Sequence, residues 1–525
     1  MIRFFKKIKI LINLIFLSKN EKIFIKKNEL RFNQLKKNNK NIILIDLFDW
    51  YPWIHLWSFL VNELSKKQGY EVHFFYFRLY EGFFSKFRIY IYKLKRIYRS
   101  FGVYKGISEY ELSKKKTTID YFKKKFDKIK TKKSLYNYKY KNTRIGDLIY
   151  SQYLRTHLKP TINISDKKLK VIFIRAHIIY DAIDDYFKKF NVKYIIPSHL
   201  CYVSFGLISR IANQKYKTPI IKIFSKNRGK NLFRFIKIDK YLLDENPYYK
   251  FKKIFLSLPN HKKKNGLKIG KRIMLQRLTS EYDPNIPYMK KNQFNKVNIK
   301  NINNTTKKKN IFLFAHCYFD NPMRYRNMLF TDFYEQVDFL LSKSKKNADY
   351  QWYYKPHPNE LKNNIDYISQ LKRKFPKVIF LDKKFSHNSV LKLNPHLIIT
   401  NFGTVAHEFA YFKVPVINTG DNPHVNYNFS LTPRNKKELS KMIFNMSEFK
   451  SKINFNKKDI YEFLFLQYYF FANENNAKQL INDEKLFKDI NKNNNDLIIK
   501  NINKNYKFNE KNLTIYTKNF LKNNL

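Results

Sequence analysis

The residues that could do chemistry gather in the second half of the chain. Lys355-Pro-His-Pro358 presents an ammonium and an imidazole, each followed by a proline. Proline fixes its own φ and restricts the preceding residue to extended conformations, so Lys355 and His357 are held rigidly. A cation beside an imidazole suits a phosphate, through charge and through a proton given by His357 to a departing phosphate. Farther along, Gly403 and Thr404 stand where an apolar run meets a helical pattern, with Glu408 one turn in. A helix starting there aims unpaired N–H groups and its positive dipole end at an anion, and Glu408 could reach hydroxyls beside it. The same residues also fit ordinary structure: a proline-rich turn, and a helix start with Thr404 as cap and Glu408 favoured by the dipole. Of eleven glycines only Gly403 and Gly420 lie beyond Gly270. Both follow apolar runs, where glycine permits positive φ or a close approach of backbone to ligand.

These residues need elements to position them. Short apolar runs predict strands at 311–315, 352–355, 378–381, 397–400 and 415–418, with helical patterns at 331–344, 360–374, 404–412 and 435–448. Strands separated largely by helices mean a parallel sheet covered on both faces. Ligands bind such sheets at the carboxyl ends of the strands. His316 with Asp320, Lys355 with His357, Asp382, the 400–404 run and the 418–421 run all follow a strand. The first half opens the same way, with strand, helix and strand at 41–46, 54–66 and 72–77. A basic stretch at 81–140 reads as a helical insertion. The rhythm then resumes with strands at 171–174, 194–196 and 220–224 and helices at 178–190 and near 203–215. The expected organisation is a basic arm over 1–40, a first Rossmann-like domain over 41–290 and a polar linker over 291–309. A second Rossmann-like domain follows over 310–458, then helices and a frayed Asn/Lys-rich tail over 459–525.

Composition narrows the classes. Lys and Arg number 104 against 41 Asp and Glu in 525 residues, a formal charge of +63, and 44% of residues are hydrophobic. Real cores are affordable in such a chain, which excludes wholesale disorder. Two cysteines, Cys201 and Cys317, exclude a disulfide scaffold and suit a reducing cytosol. The histidine-rich stretch from His316 to His424 has no spacing of a metal site, so no metal and no cofactor is expected. The charge attracts polyanions, but the sequence carries no nucleic-acid-binding module. Residues 1–17 combine four basic residues with an apolar run too short to span a bilayer. They read as a basic amphipathic helix that either lies on an anionic membrane surface or packs on the protein.

Together the motifs resemble bacterial capsule and surface-polysaccharide biosynthesis glycosyltransferases of the two-Rossmann-domain (GT-B) type, a group related to the Kdo transferases of capsule assembly. The matching pieces are His316-x3-Asp320, Phe-Tyr-Glu at 333–335, Trp352 leading into Lys-Pro-His-Pro, and Gly403-Thr404-x3-Glu408 followed by Val414-Pro-Val-Ile417. They cover roughly 310–430. Weaker echoes are the Ile-Gly-Asp-Leu-Ile-Tyr run from Ile145 and Ser198-His199. Ala406 and Lys413 depart from the pattern, each standing where glycine is common.

The resemblance implies two doubly wound domains facing a cleft, with C-terminal helices. A nucleotide-activated sugar would bind the later domain through His316, Lys355, His357, Gly403, Thr404 and Glu408, without a metal. A polysaccharide or lipid-linked glycan acceptor would bind the earlier one. The proton acceptor is then sought at strand ends of the first domain: Asp49, His55 or His199, with Asp147 in the family-like segment. Each also has a structural reading, Asp49 and Asp147 as helix caps and His55 packed beside Trp53 and Trp57. The expected protein is a cytoplasmic glycosyltransferase, peripheral on the inner face of the plasma membrane. A CDP-polyol phosphotransferase or sugar-nucleotide epimerase of the same fold is the alternative, and a non-enzymatic polyanion-binding protein is the alternative from another class.

Overall fold

The computed structural model describes residues 15–32, 40–79, 86–109, 112, 116–225, 233–238, 247–279, 292–294, 307–322, 327–358, 364–470 and 495–524. Packing divides the chain into two compact units. One comprises Met1–Gln152, Ile164–Tyr241 and Asn475–Leu525, and the other Tyr153–Asn163 and Leu242–Glu474.

The first unit holds β1 (Asn41–Asp46), β2 (Glu71–Tyr76), β3 (Val103–Ser108), a small hairpin of β4 (Lys139–Tyr140) and β5 (Thr143–Arg144), β6 (Asn191–Ile196), β7 (Ile220–Ser225) and β8 (Phe233–Ile238). Its main sheet runs β3-β2-β1-β6-β7-β8, parallel except for β8, which pairs antiparallel with β7. Ile43, Ile45, Phe74 and Tyr76 face one buried core. On the other face His73 Nδ1 lies 2.6 Å from the Tyr186 hydroxyl of the helix Lys167–Lys189. The helix Tyr51–Gln68 begins with Pro52 in its first turn and stops at Gly69, whose φ of 70° glycine enters without steric cost.

Several expectations for this unit change. Residues 171–174 are helical, within Lys167–Lys189. The short apolar run imitates a strand, but Leu169, Ile172, Phe173, Ala176, Ile179, Ile183 and Phe187 recur at helical spacing and are all buried. The 81–140 stretch is more than a helical insertion, since it supplies edge strand β3. Gly106 admits that strand, because a Cβ there would lie 2.2 Å from the Phe74 carbonyl oxygen. Part of the expected arm is a structural layer: the helix Lys19–Arg31 buries Phe24 and Asn28, and its Glu21 accepts from the Tyr51 hydroxyl and pairs with Lys93 at 2.8 Å. Residues 1–14, most of the expected amphipathic segment, lie outside the described residues. The tail is not frayed where described. The helices Asn495–Lys504 and Tyr506–Asn524 bury Ile498, Ile499, Leu513 and Leu521 in the same core as Phe24.

The second unit contains β9 (Lys309–Phe314), β10 (Tyr350–Lys355), β11 (Ile379–Phe380), β12 (Pro395–Thr400) and β13 (Val416–Asn418). They form an all-parallel sheet in the order β11-β10-β9-β12-β13. Alternate residues serve two cores. Ile311, Leu313, Trp352, Tyr354, Leu397 and Ile399 face one, while Phe312, Phe314, Tyr353, Ile398 and Val416 face the other. Both faces are covered, as a parallel sheet requires. The packing boundary falls near 241 rather than 290. The helices Phe251–Ser257 and Asn260–Thr279 join the helix Lys457–Phe465 in a third core of this unit, with Gly270 pressed against the Tyr461 backbone. Most of the expected linker lies outside the described residues, but Gln293 is seated here, its carbonyl accepting from the His387 N–H at 2.8 Å. Among the described residues no helix is long and apolar enough to cross a membrane.

The docked helix Lys19–Arg31 sets a test. Phe24→Ala should lower the stability of the first unit by about 3 kcal/mol or more. Leu30→Ala, at a site 76% exposed, should change it by less than about 0.5 kcal/mol. Chemical denaturation followed by circular dichroism measures both, and equal effects would mean the helix is not part of the core.

Candidate functional site

A doubly wound sheet opens a crevice where strand order reverses, outside the carboxyl ends. In the second unit that point lies between β9 and β12, with β10 on the other side of β9. Lys355 stands opposite Phe314 and Ile399 opposite Leu313. The loops that follow carry His316, His357 and the 401–404 run onto one rim.

Lys355 dominates it. The residue is 1% exposed, its Nζ reaches the Lys383 carbonyl oxygen at 3.3 Å and lies 5.6 Å from the Phe314 ring centre. Burial lowers its pKa to about 8, against the pull of the Glu408 and Asp382 carboxylates. An ammonium has three donors, and among the described residues that carbonyl is its hydrogen-bond partner. His357 and His316 lie side by side, ring centres 5.8 Å apart, and His316 stacks on Phe333 at 4.4 Å. Burial lowers the pKa of both. His357, pushed further by His316 and Lys355, falls to about 4. At neutral pH the rim therefore offers one buried cation and two neutral imidazoles whose uptake of a proton from solvent a bound anion would favour.

Beyond β12, Asn401 is 1% exposed and its carbonyl oxygen accepts from the Thr419 hydroxyl at 3.2 Å. Its buried amide nitrogen has no partner among the described residues. Gly403 is needed for close approach rather than positive φ, since a Cβ there would sit 2.7 Å from Thr400 Oγ1. Thr404 precedes the seven-residue helix Val405–Tyr411 without capping it through its side chain. Lys413, by contrast, takes a φ of 61°, the left-handed region where glycine would rest more easily.

Glu408 does not reach out to a ligand. It is buried, with one oxygen engaged by Arg277 and the other 3.0 Å from His387 Nδ1. Burial alone would raise its pKa, but Arg277 and then His387 hold it well below the usual carboxylate range. It is a support beneath the rim.

The first unit repeats the arrangement. Its strand order reverses between β1 and β6, and there the last residue of β1, Asp46, meets Ser198 and His199 of the loop after β6, with Asp49 in the loop after β1. Asp46 pairs with Arg78 at 3.0 Å and accepts from the Ser198 hydroxyl, and His199 Nδ1 lies 3.0 Å from Ser198 Oγ. Burial raises the pKa of Asp49, partly opposed by Arg78. His55 is not at this site. It is fully buried among Phe24, Phe59 and Tyr506, and burial lowers its pKa to about 3, so it cannot serve as a proton acceptor for a substrate. Asp147 is likewise structural, clamped by Arg210 at 2.7 and 2.9 Å.

Asp46, Arg78, Arg277, His387 and Asn401 escape sequence reasoning. An acidic residue closing an apolar strand was a usable signal for Asp46. None existed for Arg277, whose partner lies in a distant helix. Among the described residues no group of three or more His, Cys, Asp or Glu side chains could hold a metal ion.

No family model matches the chain, and no curated protein matches its sequence. Solved structures with some likeness include the beta Kdo 2,4 transferase KpsC of Thermosulfurimonas dismutans, at 10% identity and a TM-score of 0.31, over 52% of this chain and 79% of that one. A UDP-N-acetylglucosamine 2-epimerase has 11% identity and a TM-score of 0.22, over 82% and 91%. The wall teichoic acid polymerase TagF has 11% and 0.19, over 94% and 99%. Likenesses this slight carry no argument about what this chain does.

The support beneath the rim is open to test. Removing one member of a buried ion pair costs about 3–5 kcal/mol, so Glu408→Gln should destabilise the second unit by that order at pH 7. Because the folded pKa of Glu408 lies below its unfolded value, its contribution is present above pH 4.5 and is lost as the pH falls. The gap between wild type and variant should therefore narrow in acid, as denaturation midpoints from pH 7 to 3 would record. A gap that stays constant would contradict the pairing.

Proposed function

We propose that this protein is a glycosyltransferase, moving a sugar from a nucleotide-activated donor to a growing surface polysaccharide or lipid-linked glycan. The observation that carries the reading is Lys355, a buried ammonium with one carbonyl partner among the described residues, at the carboxyl edge of a parallel sheet and near two imidazoles. Burying a cation so sparsely bonded is costly unless an anion completes it. The donor's diphosphate is that anion. Lys355 binds it, His357 and His316 take up protons as it arrives, and Asn401 and the backbone at Gly403 and Thr404 supply further donors. These groups neutralise charge on the departing phosphate, where charge develops in the transition state.

The acceptor belongs to the first unit. His199 or Asp49 takes the proton of its hydroxyl as the oxygen's electron pair forms the bond to the anomeric carbon. The old anomeric C–O pair leaves with the phosphate. A net charge of +63 suits a peripheral position on the anionic inner face of the plasma membrane.

A thermal-shift and calorimetric screen against CMP, CDP, UDP and GDP tests the donor site, since a ligand of the native state raises its melting point. At least one nucleotide should bind, and Lys355→Met should weaken it about 10- to 100-fold, the worth of one charge-assisted hydrogen bond. Failure of every nucleotide, or wild-type affinity in Lys355→Met, would overturn the reading.

The pH dependence is a separate check. An anion raises the pKa of Lys355 above its free value of about 8. Above that point nucleotide affinity should therefore fall more steeply in wild type than in Lys355→Met, by about a further tenfold per pH unit, in a titration from pH 7 to 10; equal slopes would contradict the role of Lys355.

A further inference from the structure

A chain of buried side chains holds the Asn401 amide from behind. Asn401 follows β12 and Thr419 follows β13, at 1% and 0% exposed. Gln336, 2% exposed, belongs to the helix Phe333–Ser342. Its Nε2 donates to Thr419 Oγ1 at 2.6 Å, and the Thr419 hydroxyl in turn faces Asn401 Oδ1 at 3.2 Å. A hydroxyl has one proton to give. The Thr400 carbonyl oxygen, also near, is farther at 3.5 Å and already takes the Thr419 N–H at 3.0 Å. The Asn401 oxygen is therefore the acceptor, and its Nδ2 keeps two N–H groups that have no partner among the described residues. A buried donor left unpaired is costly.

Strand order decides where that nitrogen points. β13 flanks β12 on the side away from β9. The two branches of an amide diverge, so an oxygen drawn to Thr419 turns the nitrogen back toward the crevice beside β9. Gly420 admits the arrangement, since a Cβ there would lie 2.7 Å from Met328 Sδ and 3.4 Å from Asn401 Oδ1. The same helix serves His316: Phe333, three residues before Gln336 and so on the same helix face, stacks on that imidazole at 4.4 Å. All of these residues belong to the second unit.

We infer that Thr419 and Gln336 are positioning residues: they fix the Asn401 amide with its nitrogen toward the crevice, where it donates to a phosphate oxygen of the bound nucleotide. The inference rests on the glycosyl-transfer reading for its ligand but not for the hydrogen-bond chain. Direction matters because an amide can present either end. Run backwards, from Asn401 to Thr419 to Gln336, the same groups would turn a carbonyl oxygen toward the phosphate and repel it.

Isothermal calorimetry of the full-length protein with CMP, CDP, UDP and GDP tests it, the fitted stoichiometry counting the folded sites. Thr419→Val removes the hydroxyl and keeps the shape. It should weaken whichever of these nucleotides wild type binds by about 3- to 10-fold, the worth of one hydrogen bond, and Thr419→Ser should restore the affinity. Asn401→Ala should weaken binding at least as much. Adding Thr419→Val to it should weaken binding no further, because the hydroxyl acts only through the amide. Unchanged or tighter binding in Thr419→Val, which the backward chain would give, overturns the inference, and so does a further loss in the double variant. A purely structural threonine would lower the number of sites and not the affinity of those that remain. Chemical denaturation of wild type, the two single variants and the double variant needs no ligand. Their folding equilibrium constants should depart from additivity by about threefold or more, and additive effects would overturn the link between Thr419 and Asn401. Non-additive folding in a protein that binds none of the four nucleotides would overturn the glycosyl-transfer reading, and with it the phosphate as ligand, while leaving that link in place.

Discussion

Strand direction is the constraint from which the sites follow. A parallel sheet sends every loop that follows a strand to one edge, and the reversal of strand order beside the first strand parts two of those loops. In each unit of this chain the reversal lies next to its first strand, β1 in one and β9 in the other. The polar residues that matter are those the topology delivers to the two reversals. Short apolar strands can be buried on both faces because alternate residues feed separate cores, as at Phe312 and Leu313. Chemistry is left to the edge.

The two edges are built on opposite electrostatic plans. At the second unit's edge a cation is buried with one carbonyl partner among the described residues, and burial pulls its pKa down to about 8. Glu408, hydrogen-bonded by Arg277 and 3.0 Å from His387 Nδ1, opposes that fall through its charge. This keeps the ammonium charged without occupying its donors. The first unit's edge inverts the plan. There the buried charge is a carboxylate, Asp46, and its bonds are complete. What it passes on is orientation, through one hydroxyl, to an imidazole.

Much of the second sheet was legible in the sequence. Its five strands are short apolar runs flanked by helical patterns, and all five lie within a few residues of the expected places. β3 and β8 were not, because Val-Tyr-Lys-Gly-Ile-Ser and Phe-Arg-Phe-Ile-Lys-Ile interrupt their apolar residues with lysine, arginine, glycine or serine, as edge strands do. The 171–174 run was misread because four apolar residues fit a strand and a buried helix face equally well. In the site, Lys355, His357 and Gly403 could be found because prolines and a scarce glycine mark them. Glu408 could be found but not understood, since its partners Arg277 and His387 come from other parts of the chain. His55 shows the converse error: a histidine after a strand lies on the core face of the next helix, and no local pattern separates the two faces at its start.

The central claim is that the carboxyl edge of the second sheet is a phosphate socket. A crystal structure of the protein soaked with a nucleoside diphosphate tests it most directly. The account predicts a phosphate oxygen about 3 Å from Lys355 Nζ, with His357 and the Asn401 amide within reach of the same group. A nucleotide seated elsewhere, with Lys355 making no contact to it, would contradict it.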